Sequence, residues 1–304
     1  MRAAVIDVGS NTIRMVIGDC CDGLLVPQRY ERDIVRLAGD FTSQSELAEA
    51  SMERAFATLK SFRNILVKEK ISTIRVIGTA ALRRAANQQL FLDKLYTKTN
   101  FRLEVITGDE EAQLTARGAL SVIKPAVDAA IIIDIGGGST EFICAIDEQI
   151  YFQKSYPVGV VRLCEEFSSA AARHEAISQI VDDFFSQLEK LNLNQFDYKY
   201  IGTAGTVTTL AALDLALVDY DAHKINNHQL SVCYLKILKE QLDLLSVAER
   251  EKLAGMEEGR GDLILHGLDI LLTILNKRQV LSLIVADAGL LEGAFLKLCT
   301  TNAD

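Results

Sequence analysis

Two stretches decide the fold: Ile6-Asp7-Val8-Gly9-Ser10-Asn11-Thr12-Ile13-Arg14-Met15-Val16-Ile17 and Ile133-Asp134-Ile135-Gly136-Gly137-Gly138-Ser139-Thr140-Glu141-Phe142-Ile143-Cys144. Each reads as an apolar strand ending in Asp, a Gly-rich turn with hydroxyl residues, and a second apolar strand, which is the pattern of a β-hairpin. The two lie 127 residues apart. A second echo, Val76-Ile77-Gly78-Thr79-Ala80 against Tyr200-Ile201-Gly202-Thr203-Ala204, has an offset of 124. Short solenoid repeats have periods of roughly 20–50 residues, so the pattern is a domain duplication instead.

Working outward, each half reads βββαβαβα. The first half predicts strands near 3–8, 12–18 and 24–36, then a helix over about 44–68. That helix carries Met52, Phe56, Leu59, Phe62 and Leu66 at helical spacing. A strand at 73–77, a helix at 80–97, a strand at 102–106 and a helix at 110–122 follow. The second half predicts strands at 129–135, 140–147 and 149–156, helices through 160–191, a strand at 198–202 and a helix at 205–217. Helical material inserted near 220–279 precedes a strand at 280–286 and a helix at 288–298. Strands alternating with crossover helices mean a layered α/β fold. Lys124-Pro125 is the natural seam, giving domains 1–124 and 125–304, with the C-terminal helix, about 288–304, able to pack back on the first. Small residues in the last helix of each half (Ala112, Ala116, Gly118, Ala119; Ala288, Gly289, Gly293, Ala294) suit either a close helix crossing at a hinge or plain packing on a sheet.

The 304 residues are long enough for two cores, and 49% apolar with 24% charged residues is a globular composition. Thirty-two Lys and Arg against 41 Asp and Glu leave a net charge of −9, which disfavours a nucleic-acid surface. Asp7 comes too early for a signal-peptide core, and the apolar run Val280–Ala286 is far short of a membrane span, so a cytoplasmic protein without membrane contact is expected. The six cysteines form no CxxC pair, and all six are expected to be reduced, small hydrophobes. A cysteine zinc site is not expected.

A turn rich in Gly and hydroxyls points successive backbone N–H groups into a concavity suited to phosphate oxygens. Ser10, Asn11 and Thr12, and Gly136, Gly137, Gly138, Ser139 and Thr140, supply two such turns. Asp7 and Asp134, beside them, would repel phosphate unless they served Mg2+. Thr107-Gly108-Asp109-Glu110-Glu111-Ala112 looks like a helix start. Two of its three acids are expected only to complement the helix dipole, leaving one to accept a proton from water; spacing does not choose which. Arg83 and Arg84 sit one turn into the helix after Gly78-Thr79-Ala80, where a guanidinium can reach an anion. Arg36, Arg162 and Arg260 lie near turns. The four histidines show no catalytic arrangement.

Taken in order, several motifs resemble the exopolyphosphatase / guanosine pentaphosphate phosphohydrolase (Ppx/GppA) family of the actin-like ATPase superfamily, over essentially the whole chain. They are Val5–Thr12, Gly78–Arg83, Gly108–Ala112 and Asp134–Glu141, with weaker matches at Gly159–Leu163, Gly202–Thr206 and Asp287–Gly293. The resemblance implies an α/β fold of two duplicated actin-like (ribonuclease H-like) domains with an interdomain cleft. It implies that Glu111 is the catalytic base, that Glu141 assists at the scissile phosphate, and that Asp134 and Asp7 serve Mg2+. The two turns would bind phosphates, with Arg83 as a cationic clamp. The family often has Arg where this chain has Leu291. Longer relatives carry further C-terminal domains, associated with long polyphosphate chains and dimerisation; this chain is expected to end after the two-domain core.

The expected activity is release of terminal orthophosphate from inorganic polyphosphate, or from guanosine pentaphosphate (pppGpp), by Mg2+-assisted attack of water. Short chains are favoured because a long polyanion needs an extended basic track and only local clusters are present. A homodimer is compatible with the relatives. The alternatives are an ATP-binding actin-like switch or scaffold and a small-molecule kinase of the same superfamily.

Overall fold

The computed structural model describes residues 1–21, 23–39, 41, 45–147 and 149–301. By its contacts the chain divides into a first unit, Met1–Gly118 with the C-terminal stretch from Leu290, and a second, Ala119–Gly289. The first unit holds β1 (Arg2–Val8), β2 (Thr12–Cys21), β3 (Leu24–Ile34), α1 (Glu49–Lys68), β4 (Thr73–Gly78), α2 (Ala80–Arg84), α3 (Gln88–Thr99) and β5 (Leu103–Val105). Helix α4 (Gly108–Val122) follows, and α12 (Leu290–Thr301) closes the unit. The second unit contains β6 (Ala129–Ile135), β7 (Thr140–Ile146), β8 (Gln149–Tyr156), α5 (Val160–Glu166), α6 (Ala170–Lys190), β9 (Lys199–Thr203) and α7 (Ala204–Asp214). Then come α8 (Ala222–Ile225), β10 (Gln229–Ser231), α9 (Val232–Asp243), α10 (Val247–Arg250), α11 (Ile264–Lys277) and β11 (Ser282–Val285).

The duplication is built into both sheets. Their orders are β3-β2-β1-β4-β5 and β10-β11-β9-β6-β7-β8, so the second repeats the first with β10 added at one edge. Register repeats too. Val8 pairs with Ile13 and Asp7 with Arg14; Ile135 pairs with Thr140 and Asp134 with Glu141. Strands β1 and β6 sit at the centre of their sheets and are almost wholly buried, as strands covered on both faces must be.

Helix α1 buries Met52, Phe56, Leu59, Phe62 and Leu66, the stripe expected from spacing, but begins at Glu49: residues 45–48 of the expected helix are not helical, and residue 44 lies outside the described residues. The expected helix 80–97 is two helices. Asn87 exchanges two hydrogen bonds with the backbone of Leu47, 2.9 and 3.1 Å, and this side-chain competition draws the chain out of helical geometry after Arg84. Strand β10 was not expected; it is three residues long and antiparallel to β11.

By contacts the division between units falls inside α4, between Gly118 and Ala119, six residues before the Lys124-Pro125 seam. The reason is Asn227, whose amide donates to the Val122 carbonyl at 2.9 Å and accepts from the Lys124 N–H at 2.8 Å, tying that stretch to the second unit. Helix α12 packs Leu290, Leu291, Ala294 and Phe295 with Val5, Val16, Ile77 and Leu114 in one core of the first unit. Leu291, where the family often has Arg, is 1% exposed there and contributes apolar contact only.

Backbone meets backbone where α12 crosses α4: a Cβ on Gly293 would overlap the Leu114 carbonyl oxygen. Among the described residues no helix is long and apolar enough to cross a membrane. One expectation is corrected: Cys20, at the end of β2, and Cys299, on α12, form a disulfide, because α12 lies against this sheet and brings together residues 279 apart in sequence.

Two outcomes follow from this packing. Thiol titration of the denatured, unreduced chain is expected to count four cysteines, Cys21, Cys144, Cys164 and Cys233, rising to six after reduction. Gly293→Val is expected to cost at least about 2 kcal/mol in chemical denaturation, because helix backbones and not flexible side chains would have to move.

Candidate active site

The two hairpin turns close with the same hydrogen bond. Gly9 N–H donates to the Thr12 carbonyl at 3.1 Å and Gly136 N–H to the Ser139 carbonyl at 3.0 Å. The turn carbonyls are then drawn away by neighbouring backbone. In the first unit Ser10 O accepts from Ala38, and Asn11 O from Val35 and Arg36. In the second, Gly136 O accepts from Val160, and Gly137 O from Val161 and Arg162, at the start of α5. With the carbonyls held back, the N–H groups of Ser10 and Asn11, and of Gly137, Gly138 and Ser139, meet no acceptor among the described residues. Each turn is thus a nest of donors suited to anionic oxygens.

Gly159 explains why the second nest keeps its shape. A Cβ there would lie 2.5 Å from both the Gly137 carbonyl oxygen and the Ser139 nitrogen. Only a residue without a side chain lets the chain after β8 lie flat against the turn and take up its carbonyls. Ser139 is buried at the turn, whereas the Thr140 hydroxyl donates to Val158 O at 2.6 Å and so pins the same segment. In the first unit Thr12 is half-buried and its hydroxyl accepts weakly from Asn11 Nδ2 at 3.5 Å.

The three acids at the start of α4 separate cleanly. Asp109 is exposed. Glu110 accepts from Lys297 at 2.9 Å and from Arg75 at 3.1 Å, and these contacts, Lys297 foremost, hold its carboxyl below the usual range. It is a structural anion joining α12 to α4. Glu111 is 8% exposed, and its Oε2 lies 2.6 Å from Arg83 Nη1, which also donates to the Ile106 carbonyl at 3.2 Å. Thr107 Oγ1 accepts from the Glu110 N–H at 3.1 Å and its carbonyl from Glu111 N–H, fixing the first turn of the helix. Arg83 therefore meets the Glu111 carboxylate in this structure, with the rest of its five-donor fork left over for an anion.

Asp7 and Asp134 end β1 and β6 beside the turns, 3% and 9% exposed. Arg14 donates twice to Asp7 Oδ2, at 2.7 and 3.2 Å, while Asp7 Oδ1 is buried with no hydrogen-bond partner. Asn11 Oδ1, on the same turn, is buried without a partner as well. In the second unit the register sets Asp134 directly opposite Glu141, 1% exposed, so two carboxylates share one face. Like charges so placed destabilise a sheet unless a cation, a proton or a donor offsets them. Ser155, the neighbour of Glu141 on β8, donates to Glu141 Oε1 at 2.6 Å. Ser155 carried no signal in the sequence; its role depends on the β7–β8 register. Gly289 and Thr203 complete the surroundings of Asp134, with Thr203 Oγ1 donating to Ala288 O at 2.8 Å.

Hard oxygen donors of this kind fit Mg2+, which is usually held by one or two carboxylates and takes its other ligands from phosphate and water. Among the described residues no cluster of three or more His, Cys, Asp or Glu able to enclose a metal is present. The remaining sequence candidates are occupied otherwise. Arg84 lies over the Phe41 ring, Arg162 pairs with Glu166 at 2.6 Å, and Arg260 pairs with Glu257 at 2.8 Å while packing on Gly205. His228 meets Asp214 at 2.7 Å, and burial lowers the pKa of His266.

A mixed α/β fold with a repeated strand order, paired Asp-Gly-hydroxyl hairpins and a carboxylate at a helix start defines the class, a protein of two actin-like domains. Residues 16–302 match the model of the Ppx/GppA phosphatase family, and the chain belongs to that family. It is 28% identical to Exopolyphosphatase 2 of Mycobacterium tuberculosis, with 98% of each chain covered. It is 29% identical to the bifunctional 3-dehydroquinate synthase/phosphatase of Fusobacterium nucleatum, but spans only 46% of that protein's length. It is 28% identical to the guanosine-5'-triphosphate,3'-diphosphate pyrophosphatase of Aeromonas salmonicida, spanning 60% of it. The structure matches an exopolyphosphatase from Cytophaga hutchinsonii with a TM-score of 0.88 and 28% identity, covering 99% and 98% of the two chains. The Ppx/GppA family member of Aquifex aeolicus matches with a TM-score of 0.79 and 28% identity over 99% of each chain.

Gly159→Ala tests the second nest. Losing one hydrogen bond to a charged group costs about 1.5–3 kcal/mol, so calorimetry is expected to show tripolyphosphate binding weakened by roughly tenfold or more. The thermal melt should move by only a few degrees.

Proposed function

We propose that the chain hydrolyses terminal phosphoanhydride bonds, releasing orthophosphate from short inorganic polyphosphate or from pppGpp. The observation that carries this reading is the pair of donor nests together with Glu111, a nearly buried carboxylate fixed by Arg83. The relatives named exopolyphosphatase and guanosine-5'-triphosphate,3'-diphosphate pyrophosphatase support it.

The N–H groups of Gly137, Gly138 and Ser139, and those of Ser10 and Asn11, bind non-bridging phosphate oxygens and offset charge as it builds on them in the transition state. Glu111, oriented by Arg83 and by the Thr107 cap, accepts a hydrogen bond from water and then its proton as the oxygen attacks the terminal phosphorus in line. Arg83 adds positive charge beside the departing phosphate. Glu141, with Ser155 fixing one oxygen, assists at the scissile phosphate, while Asp134 and Asp7 would hold Mg2+. Bound there, Mg2+ would neutralise part of the phosphate charge and polarise the scissile bond.

Short chains are favoured on charge grounds. Arg2, Arg29 and Arg75 are all spent on Glu side chains, so the first unit offers no continuous row of open cations along these positions to a long polyanion. In a panel of tripolyphosphate, longer polyphosphate and pppGpp with Mg2+, phosphate release is expected on tripolyphosphate or pppGpp. Glu111→Gln should lower kcat by about 100-fold or more while KM stays within a fewfold. Wild-type turnover by that variant on every active substrate would remove Glu111 from the role of base. Transfer of phosphate to an added acceptor in place of water would show a kinase.

A further inference from the structure

A cavity of about 330 Å³ opens in the first unit, on the sheet face opposite α4. The parity of β4 fixes that face. Ile77 points into the core shared with α12 and Leu114, so Ile74 and Val76 point the other way, toward the cavity. The cavity lies toward the amino-terminal end of β4, whereas the first unit's nest follows Val8, which pairs with Gly78 at the other end. Thr73 and Gly78 are separated by ~17 Å along the strand at the usual rise per residue.

Two arginines line it, Arg63 from α1 and Arg102 just before β5. Among the described residues neither pairs with a carboxylate, although acids outnumber basic residues in the chain. Instead each guanidinium lies near an aromatic ring: Arg63 Cζ is 5.5 Å from the centre of Phe101, and Arg102 Cζ is 5.9 Å from that of Tyr96. An aromatic face steadies a guanidinium without neutralising it, so the donor fork remains available to an anion. Ile74 and Val76 form an apolar floor, Tyr96 is half-exposed, and Ser72 and Asn100 add a hydroxyl and an amide at the rim.

We propose that this cavity binds a nucleoside monophosphate, with the phosphate between Arg63 and Arg102 and the base against Tyr96 and the apolar floor. Its volume is at the lower end of the range for small-ligand sites, which suits one nucleotide. Bidentate recognition by two arginines suits a phosphate dianion, and a planar ring adds stacking that a bare anion lacks.

Calorimetric titration of the wild-type chain with GMP and with AMP, in the presence of saturating tripolyphosphate without metal, tests the site. One nucleotide is expected to bind per chain, at least tenfold more tightly than ribose 5-phosphate. The double variant Arg63→Ala/Arg102→Ala, shown to be folded by its thermal melt, is expected to lose at least tenfold in nucleotide affinity and keep wild-type hydrolysis of tripolyphosphate measured without nucleotide. Unchanged nucleotide binding in the double variant would overturn the proposal, as would no binding to wild type or equal affinity for ribose 5-phosphate. If the folded variant lost binding and hydrolysis together, the cavity would not be a separate site and the proposal would fall. A chain that bound nucleotide here and hydrolysed no phosphoanhydride would instead overturn the proposed function alone.

Discussion

The hydrogen bond from Gly9 to Thr12, repeated from Gly136 to Ser139, is the constraint on which the candidate site depends. It folds each hairpin so tightly that successive peptide planes cannot hide their polar edges within the strand ladder. One edge must be satisfied by neighbouring backbone and the other is left outward. In both units the neighbours take the carbonyls: the stretch around Val35–Ala38 in the first, and the start of α5 in the second. What remains is a run of N–H groups whose desolvation an anion would repair. Gly159 belongs to this constraint as much as the turn glycines do, because a side chain there would separate the turn from the backbone that holds its carbonyls.

The same accounting decides among the acids of α4. Glu110 is engaged from two sides, by Lys297 and by Arg75, in contacts that join α12 and β4 to α4. Asp109 faces solvent. Glu111 alone of the three is both largely buried and fixed in orientation, through one oxygen and the Arg83 guanidinium. Arg83 in turn is anchored by the Ile106 carbonyl, so the position of the pair is set by the end of β5 and the entry to α4.

How much of this the sequence disclosed follows from how local each interaction is. The hairpins were legible because a strand, a Gly-hydroxyl turn and a second strand lie within a dozen residues, and duplication doubled the signal. The stripe of α1 was legible for the same reason. The break between α2 and α3 was not, since Asn87 is drawn out by Leu47, forty residues away. The disulfide joins residues 279 apart and shows no spacing pattern at all. Within the site, Glu111 could not be told from its neighbours without knowing that Lys297 comes back to Glu110, and Ser155 acquires a role only once β8 is registered against β7.

The two halves are equal in backbone and unequal in charge. At corresponding positions after the turn, the first half has Arg14 and the second Glu141, each opposite the conserved-register aspartate of its own hairpin. Asp7 is thereby held by a guanidinium through one oxygen, and its other oxygen remains buried without a partner. Asp134 instead faces a second carboxylate. Duplication alone would have produced two like sites, each with an aspartate opposite an arginine. Exchanging one cation for an anion leaves the second hairpin with an excess of negative charge beside a nest that attracts negative ligands. In the proposed hydrolysis a phosphate would occupy the nest and Mg2+, held by Asp134, would supply the positive charge that offsets both.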